Sequence, residues 1–136
     1  MSKKETVIQQ KQSLQDEVNE WLERKYSMSD FNSYQIVART TAIYPPTHKI
    51  LYPALGLAGE AGEVANKVKK LVRDGTDSLP KDWKEQIGNE IGDVLWYCAV
   101  LADDLGMSLG MIAAQNENKL YNRKINGTIA GSGDTR

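Results

Sequence analysis

The chain has 136 residues, which suits one domain large enough to bury a core of its own. Its 17 Lys and Arg residues nearly balance its 18 Asp and Glu residues, so no broad positive field favours a nucleic-acid polymer. One cysteine excludes a disulfide or a cysteine-rich zinc site within the chain, and no apolar run has the length of a membrane span. With a polar start that lacks a signal peptide's hydrophobic region, these features predict a cytoplasmic protein that binds no membrane.

The first predicted element is a polar helix over residues 4 to 26. Its narrow apolar stripe consists of Val7, Leu14, Val18, Trp21 and Leu22. Such a stripe is not a core by itself, and two interpretations stay open: it packs on the rest of the bundle, or it packs on a second subunit.

A cap at Ser29 or Asp30 starts the next predicted helix, from Phe31 to about Ile43, before the Pro45-Pro46 pair prevents continuation. Two long helices follow, joined by a turn between Arg73 and Lys81. The apolar stripe of the first comprises Leu57, Ala61, Val64, Val68, Leu71 and Val72. That of the second comprises Ile87, Ile91, Val94, Leu95, Cys98, Leu101 and Leu105. We predict an antiparallel hairpin that buries the two stripes against each other.

Small residues along the hairpin predict a close approach of its helices. They are Gly56, Ala58, Gly59, Ala61, Gly62 and Ala65 on the first helix, and Gly88 and Gly92 on the second. Glycine costs about 1 kcal/mol relative to alanine in a helix, so this many glycines need a reason.

Two pairs of acids lie beside these stripes: Glu60 with Glu63, and Glu90 with Asp93. Residues three apart are neighbours on a helix, so each pair can present two carboxylates to one point. Both pairs lie on the same flank and at the same distance from the turn, which predicts that all four carboxylates converge. Clustered carboxylates suit hard ions such as Mg²⁺ or Mn²⁺. The alternative is four solvated acids on charged helices.

The segments GLAGEAGEVANKVKK, EIGDVLWY and NENKLYNR together resemble the MazG-like all-α nucleoside triphosphate pyrophosphohydrolases, which are related to dimeric dUTPases and dCTPases. The resemblance covers about residues 31 to 136. It implies an all-α, oligomeric bundle in which the four acids hold Mg²⁺. It also implies cleavage of a (deoxy)nucleoside triphosphate to the monophosphate and pyrophosphate. Gly59 departs from the family's doubled acid, EExxE.

Further site residues follow from this resemblance and from helical spacing. Glu63, or alternatively Glu60, is expected to activate a water. Lys67 either meets a phosphate or pairs with Glu63. Tyr97 is a candidate wall of the nucleotide pocket, and Gln35 a candidate for contact with the base, its alternative being an ordinary exposed glutamine. Trp96 points away from the acids and is a candidate interface residue.

The last predicted helix runs from about Ser108 to Lys124. Asn116, Lys119 and Arg123 share one face of it and match the family's N-x-x-K-x-x-x-R pattern. Their amide, ammonium and guanidinium groups suit triphosphate oxygens. The alternative is an exposed basic helix end, which the helix dipole would favour.

The sequence therefore predicts an N-terminal amphipathic helix, residues 1 to 28, a catalytic bundle, residues 29 to 125, and a tail, residues 126 to 136, that is either flexible or a lid. We expect a homodimer or homotetramer whose sites borrow residues from a neighbouring chain, acting in dNTP pool control or house-cleaning. Two alternatives are a dUTPase or dCTPase of narrow specificity and a non-catalytic helical oligomerisation module. The preferred base is not readable from these residues.

Overall fold

The structure is a computed structural model that describes residues 8–9, 12–13, 16 and 30–130. These residues contain no strand. The helices are α1 (Phe31–Thr40), α2 (Leu51–Asp74), α3 (Trp83–Asp104) and α4 (Leu109–Ile125), with 3-10 turns at Pro46–His48 and Thr76–Ser78. The predicted all-α fold class is confirmed. The apolar stripe predicted for residues 4 to 26 and the last six residues of the predicted tail lie outside the described residues.

Side-chain caps start α1 and α4. Asp30, one of the two predicted caps, accepts a hydrogen bond from the Ser33 N–H at 2.7 Å and starts α1. This helix ends at Thr40, earlier than predicted, where the hydroxyls of Thr40 and Thr41 donate to carbonyls three residues back. Such local bonds compete with helix continuation. Ser108 caps α4 as predicted, by accepting from the Met111 N–H at 3.1 Å.

The α2 and α3 helices form the predicted antiparallel hairpin: Gly56 near the start of α2 meets Tyr97, whereas Lys67 further along meets Glu90. The predicted burial of the whole stripe on each helix is wrong. Ala61, Val68 and Val72 on α2, and Ile91, Leu95 and Leu105 on α3, are exposed. One neighbouring helix covers a narrower sector than these apolar stripes span, so α3 covers only the side of α2 that carries Leu57, Val64 and Leu71.

The predicted close approach of the two helices does not explain four of the glycines in the hairpin. A Cβ built at Gly59, Gly62, Gly88 or Gly92 would meet no atom of the described residues within 4 Å. At Gly56, in contrast, a Cβ would overlap the ring of Tyr97. Of the hairpin's five glycines, Gly56 alone serves a close approach between the described parts of the two helices.

The core lies on the far side of α3 from α2, where α1 packs across it. Its buried apolar residues are Ala38, Ala99, Val100, Ala102 and Leu109. Gln35 is also buried there, with 8% of its surface exposed, so the interpretation as an exposed glutamine is wrong. Its amide donates to the Met107 carbonyl and accepts from the Leu109 N–H, both at 2.9 Å. Gln35 thus fixes the connection from α3 to α4.

A buried carboxylate holds the loop between α1 and α2. The Asp104 side chain is fully buried and accepts from the Tyr44 hydroxyl at 2.7 Å, the Arg39 guanidinium at 2.9 Å and the Ile50 N–H at 2.9 Å. Ile50 has a φ of 67°, which is unfavourable for a β-branched residue, so these bonds hold a strained point at the start of α2. Burial raises the pKa of Asp104, but the Ile50 and Tyr44 hydrogen bonds and the Arg39 charge together lower it.

The α4 helix leaves α3 at 105°. From Ala114 to Ile125 every residue except Arg123 is exposed. No single helix among the described residues is long and apolar enough to cross a membrane; α3 and α4 meet that criterion only as this bent pair.

We predict that Asp104→Asn lowers the free energy of unfolding by about 3 kcal/mol at neutral pH, because Arg39 loses its buried partner. Since folding lowers the pKa of Asp104, its stabilising contribution is present above the ordinary aspartate pKa and disappears as the pH falls through the folded-state pKa. Urea unfolding at neutral and at acid pH measures both effects. Asp103→Asn is the control. Asp103 lies 3.3 Å from Arg39, but its side chain is 44% exposed, so this substitution should lower the free energy of unfolding by less than about 1 kcal/mol. Equal effects of the two substitutions would contradict this role.

Candidate metal centre

Three carboxylates from the two helices of the hairpin converge. Glu60 on α2 and Glu90 and Asp93 on α3 each offer an oxygen within 4.8 Å of the others. Glu60 and Glu90 are half-buried at the helix contact, and Asp93 is exposed beside them. The i, i+3 spacing places the α3 pair on one face, and antiparallel packing brings Glu60 to the same level. This group can chelate one hard cation.

Glu63, the fourth predicted acid, lies outside this group. It is exposed, and its charge contributes to the negative field at Glu60. The structure therefore brings together three of the four predicted metal ligands and leaves Glu63 exposed at the rim. Its role as a ligand or a base stays a prediction.

The charges in this cluster are only partly compensated. Lys67 Nζ lies 3.2 Å from a Glu90 carboxylate oxygen, so the interpretation that Lys67 pairs with Glu63 is wrong. Loss of hydration raises the pKa of Glu60, and the negative charges of Asp93, Glu90 and Glu63 raise it further. A cation bound between the helices would relieve this repulsion.

An aromatic row extends from the cluster. The Tyr97 ring lies on Gly56 and meets the Tyr52 ring at a centroid distance of 6.4 Å. The Tyr52 ring stacks on Tyr44 at 4.8 Å. Burial raises the pKa of Tyr97, as do Tyr52 and then the charges of Glu60 and Asp93, which keeps the phenol protonated. Tyr97 therefore lies at the edge of the acid cluster, as a pocket wall requires.

Sequence reasoning missed Tyr52 and Tyr44. The sequence does contain a pattern that places Tyr52 near the site. Tyr52, Gly56 and Glu60 follow one another at i, i+4 spacing and so lie on one side of α2. Tyr52 is 47% exposed. Tyr44 has no such signal, because it lies in the loop that Asp104 holds in place.

Trp96 packs inside the chain. Its indole N–H donates to the Thr41 hydroxyl at 2.8 Å, and its ring meets Tyr97 edge to face at 4.9 Å. Trp96 thus packs on Tyr97 and anchors the end of α1 to α3. The described contacts therefore assign it a packing role.

The contacts of the described residues do not link Asn116 or Lys119 on α4 to the four predicted acids. This helix packs through its first turns on α1 and on the end of α3. Asn116 lines an open hollow of about 460 Å³ that contains none of the four acids predicted to bind metal. The other lining residues are Ala113, Glu117, Leu120, Tyr121, Lys124 and Ile129. Lys119 is exposed and Arg123 half-buried on the same helix. Contact of these residues with a triphosphate stays a prediction that depends on a neighbouring chain.

Gln35 also lies apart from the acids. Its side-chain oxygen and nitrogen both bind backbone groups at the α3–α4 connection. The prediction that Gln35 contacts the base therefore finds no support in this arrangement, because the amide already has partners.

The MazG nucleotide pyrophosphohydrolase domain matches residues 47–127. This match covers more than half of the chain and includes α2, α3, α4 and all four predicted acids. The chain belongs to the MazG nucleotide pyrophosphohydrolase domain family, as its motifs predict. It is 45% identical over 109 residues to the Gene 37 protein of Mycobacterium phage L5, an alignment that covers 76% of this chain and 96% of that protein. No solved structure matches the chain.

We predict that Gly56→Ala destabilises the protein by about 1–3 kcal/mol, because the new methyl group displaces the Tyr97 ring. Gly59→Ala, three residues further along α2, should stabilise it by about 0.5–1 kcal/mol, since its Cβ meets no atom. Chemical denaturation of both variants measures the difference. Equal stabilisation by the two alanines would contradict the close contact at Gly56.

Proposed function

We propose that this chain is a Mg²⁺-dependent nucleotide pyrophosphohydrolase that converts a (deoxy)nucleoside triphosphate to the monophosphate and pyrophosphate. The observation that carries the proposal is the convergence of Glu60, Glu90 and Asp93 within 4.8 Å between two helices. Membership of the MazG nucleotide pyrophosphohydrolase domain family supports the reaction class. A role in dNTP pool control or house-cleaning is part of this proposal.

The donor set fits Mg²⁺ better than a softer metal. All three groups are carboxylates, and the described residues place no cysteine or histidine in the cluster. Mg²⁺ is commonly bound by a few carboxylates while its other positions hold waters and substrate phosphates. Glu60, Glu90 and Asp93 would hold the ion, with Glu63 able to join them by rotating its side chain. When bound, Mg²⁺ supplies positive charge to phosphate oxygens.

The chain's own side chains account for the remaining steps. Glu63, exposed at the rim of the cluster, would orient a water and accept its proton as the water oxygen bonds to the α-phosphorus. The bond from the α-phosphorus to the oxygen bridging the α- and β-phosphates breaks, and pyrophosphate leaves with that oxygen. Lys67, now paired with Glu90 at 3.2 Å, can turn its ammonium to the phosphates. Glu60 is the alternative proton acceptor, which its raised pKa favours.

The aromatic row would provide a surface for the nucleoside. Tyr52 precedes Glu60 by eight residues, so it lies about 12 Å along the helix axis from the metal ligands. Tyr97 lies between them on Gly56. A base stacked on Tyr52 would leave the phosphates directed at the carboxylates. Asn116, Lys119 and Arg123 would approach these phosphates from a neighbouring chain.

We predict pyrophosphate and the matching monophosphate from a panel of NTPs and dNTPs with Mg²⁺ or Mn²⁺, and no product with EDTA. Glu60→Gln and Asp93→Asn should each lower kcat/KM at least 100-fold, because each removes a metal ligand. Glu85→Gln is the matched control, an exposed acid on the first turn of α3, and should retain full activity. Anion-exchange chromatography of the products separates pyrophosphate from orthophosphate.

Other outcomes of the same panel are informative. Cleavage of a single base would identify a dUTPase or dCTPase of narrow specificity. Orthophosphate as the first product would contradict cleavage at the α-phosphorus. No product from any nucleotide would contradict the proposed enzyme and favour the non-catalytic module. Full activity in Glu60→Gln would contradict the role of Glu60 as a metal ligand.

We also predict a stability signature of the cluster. Folding raises the pKa of Glu60, so its contribution to stability is present below the ordinary glutamate pKa and is lost as the pH rises through the folded-state pKa. Without metal at neutral pH, Glu60→Gln should therefore have a higher Tm than the wild type. Mg²⁺ at 100 times its Kd should stabilise the wild type by about 2.7 kcal/mol and the variant much less. Thermal unfolding with Mg²⁺ and with EDTA measures this reversal; equal Mg²⁺ stabilisation of both proteins would contradict it.

A further inference from the structure

A polar cluster at the end of α3 reaches the aromatic row through Tyr44. The solvent-excluded Asp104 carboxylate accepts from the Tyr44 hydroxyl at 2.7 Å, and the Arg39 guanidinium donates to the same hydroxyl at 3.0 Å. The guanidinium of Arg39 also lies 5.6 Å from the centre of the Tyr44 ring, within the range of a cation–π contact. Two side chains therefore hold this ring both at its hydroxyl and at its face.

The Tyr44 ring in turn supports Tyr52. The two rings stack with 4.8 Å between their centres and an angle of 18° between their planes. Tyr52 is still 47% exposed, so it keeps open surface for a ligand beside the ring that supports it. Asp104 also acts on Tyr52 through the backbone, because it accepts at 2.9 Å from the N–H of Ile50, two residues before Tyr52. One carboxylate thus fixes the ring that supports Tyr52 and the start of the helix that carries it.

This cluster is separate from the metal centre. Asp104 follows Asp93 by eleven residues on α3, which is about 16 Å along the helix axis. A side chain at that distance does not contact an ion held by Glu60, Glu90 and Asp93. Loss of the Asp104 contacts should therefore change the binding of a nucleoside and leave the binding of a metal ion as it was.

Taking the nucleotide substrate of the proposed function as given, we propose that Asp104 is a positioning residue for the nucleoside, which acts through Tyr44 on the stacking surface of Tyr52. A base that stacks on a protein ring strengthens binding by about 5- to 150-fold. The gain is largest when the ring already has its binding orientation, because no side chain then has to be ordered by the ligand. The Asp104–Tyr44 hydrogen bond supplies this order without touching the ligand.

A purely structural role for Asp104 leads to a different expectation. If Asp104 only held the loop through Arg39 and Ile50, the Tyr44 hydroxyl would contribute to stability alone. Tyr44→Phe separates the two roles, because it removes the hydroxyl and keeps the ring, the Arg39–Asp104 ion pair and the Ile50 hydrogen bond. Only the positioning role predicts that this variant binds a nucleotide more weakly.

The test is equilibrium dialysis of the full chain against radiolabelled dAMP, dGMP, dCMP, dTMP and dUMP, followed by kinetics with the triphosphate of the base that binds most tightly. Tyr44→Phe and Asp104→Asn should each raise the Kd of that monophosphate at least threefold. Each should also raise KM and leave kcat unchanged, the pattern expected when binding is lost equally from the ground state and the transition state. Tyr44→Leu, which removes the supporting ring, should raise the Kd at least fivefold.

Asp103→Asn is the matched control, since the Asp103 carboxylate contacts Arg39 at 3.3 Å and its loss leaves the Tyr44–Asp104 bond in place. Its Kd and KM should equal those of the wild type. Mn²⁺ binding should be unchanged in every variant, and circular dichroism checks that each is folded at the assay temperature. If Asp104→Asn fails to fold, Tyr44→Phe decides alone.

An unchanged Kd in Tyr44→Phe would overturn the proposal, and so would a wild type that binds none of the five monophosphates. A monophosphate that the wild type binds and Tyr44→Phe binds more weakly, with no turnover of any triphosphate, would support the positioning role and contradict the proposed reaction. The two failures are therefore distinguishable.

Discussion

The structure depends on a contact that helices ordinarily avoid: like-charged carboxylates facing one another across a helix pair. Glu60 and Glu90 lie where α2 and α3 meet, a position that an apolar side chain would fill at no electrostatic cost. Lys67 offsets part of this charge by its contact with Glu90 at 3.2 Å. The remaining repulsion is the physical reason to expect a cation, and hence a phosphate ligand, at this level of the hairpin.

Contacts at the open end of the hairpin, where α2 begins and α3 ends, hold this pair of helices in place. Asp104 binds the loop that starts α2, and Gln35 binds the connection that starts α4, so buried polar groups tie the C-terminal end of α3 to both neighbouring segments. The Trp96 ring then supports Tyr97, and Tyr97 occupies the space that Gly56 leaves. The hydrogen bonds of Asp104 and Gln35 satisfy polar groups that would otherwise be buried without a partner. They therefore help to fix the aromatic and acidic side chains in position.

Much of this arrangement could be predicted from the sequence. Helical periodicity identified α1 to α4, prolines identified the loop before α2, and i, i+3 spacing with equal distance from the turn placed Glu60 beside the α3 pair. Periodicity could not show which part of a wide apolar stripe would be covered, since that depends on how many neighbours a helix has. Ala61 and Val68 were therefore predicted as buried and are exposed.

Polar contacts between residues that are distant in the sequence also could not be predicted. The partner of Lys67 is Glu90 rather than its sequence neighbour Glu63, and Gln35 binds backbone groups more than sixty positions away. Local spacing carries no information about such contacts. The same applies to Asn116, Lys119 and Arg123: they share a helix face as predicted, but the 105° bend before α4 decides where that face points.

Equilibrium binding of Mn²⁺, followed by the loss of its free electron paramagnetic resonance signal, tests the central claim most directly. We predict saturable binding that Mg²⁺ displaces, at least tenfold weaker in Glu90→Gln and unchanged in Glu85→Gln. Weak, non-saturable binding that is the same in the wild type and Glu90→Gln would show that the three carboxylates are a solvated acidic patch and would contradict the metal centre.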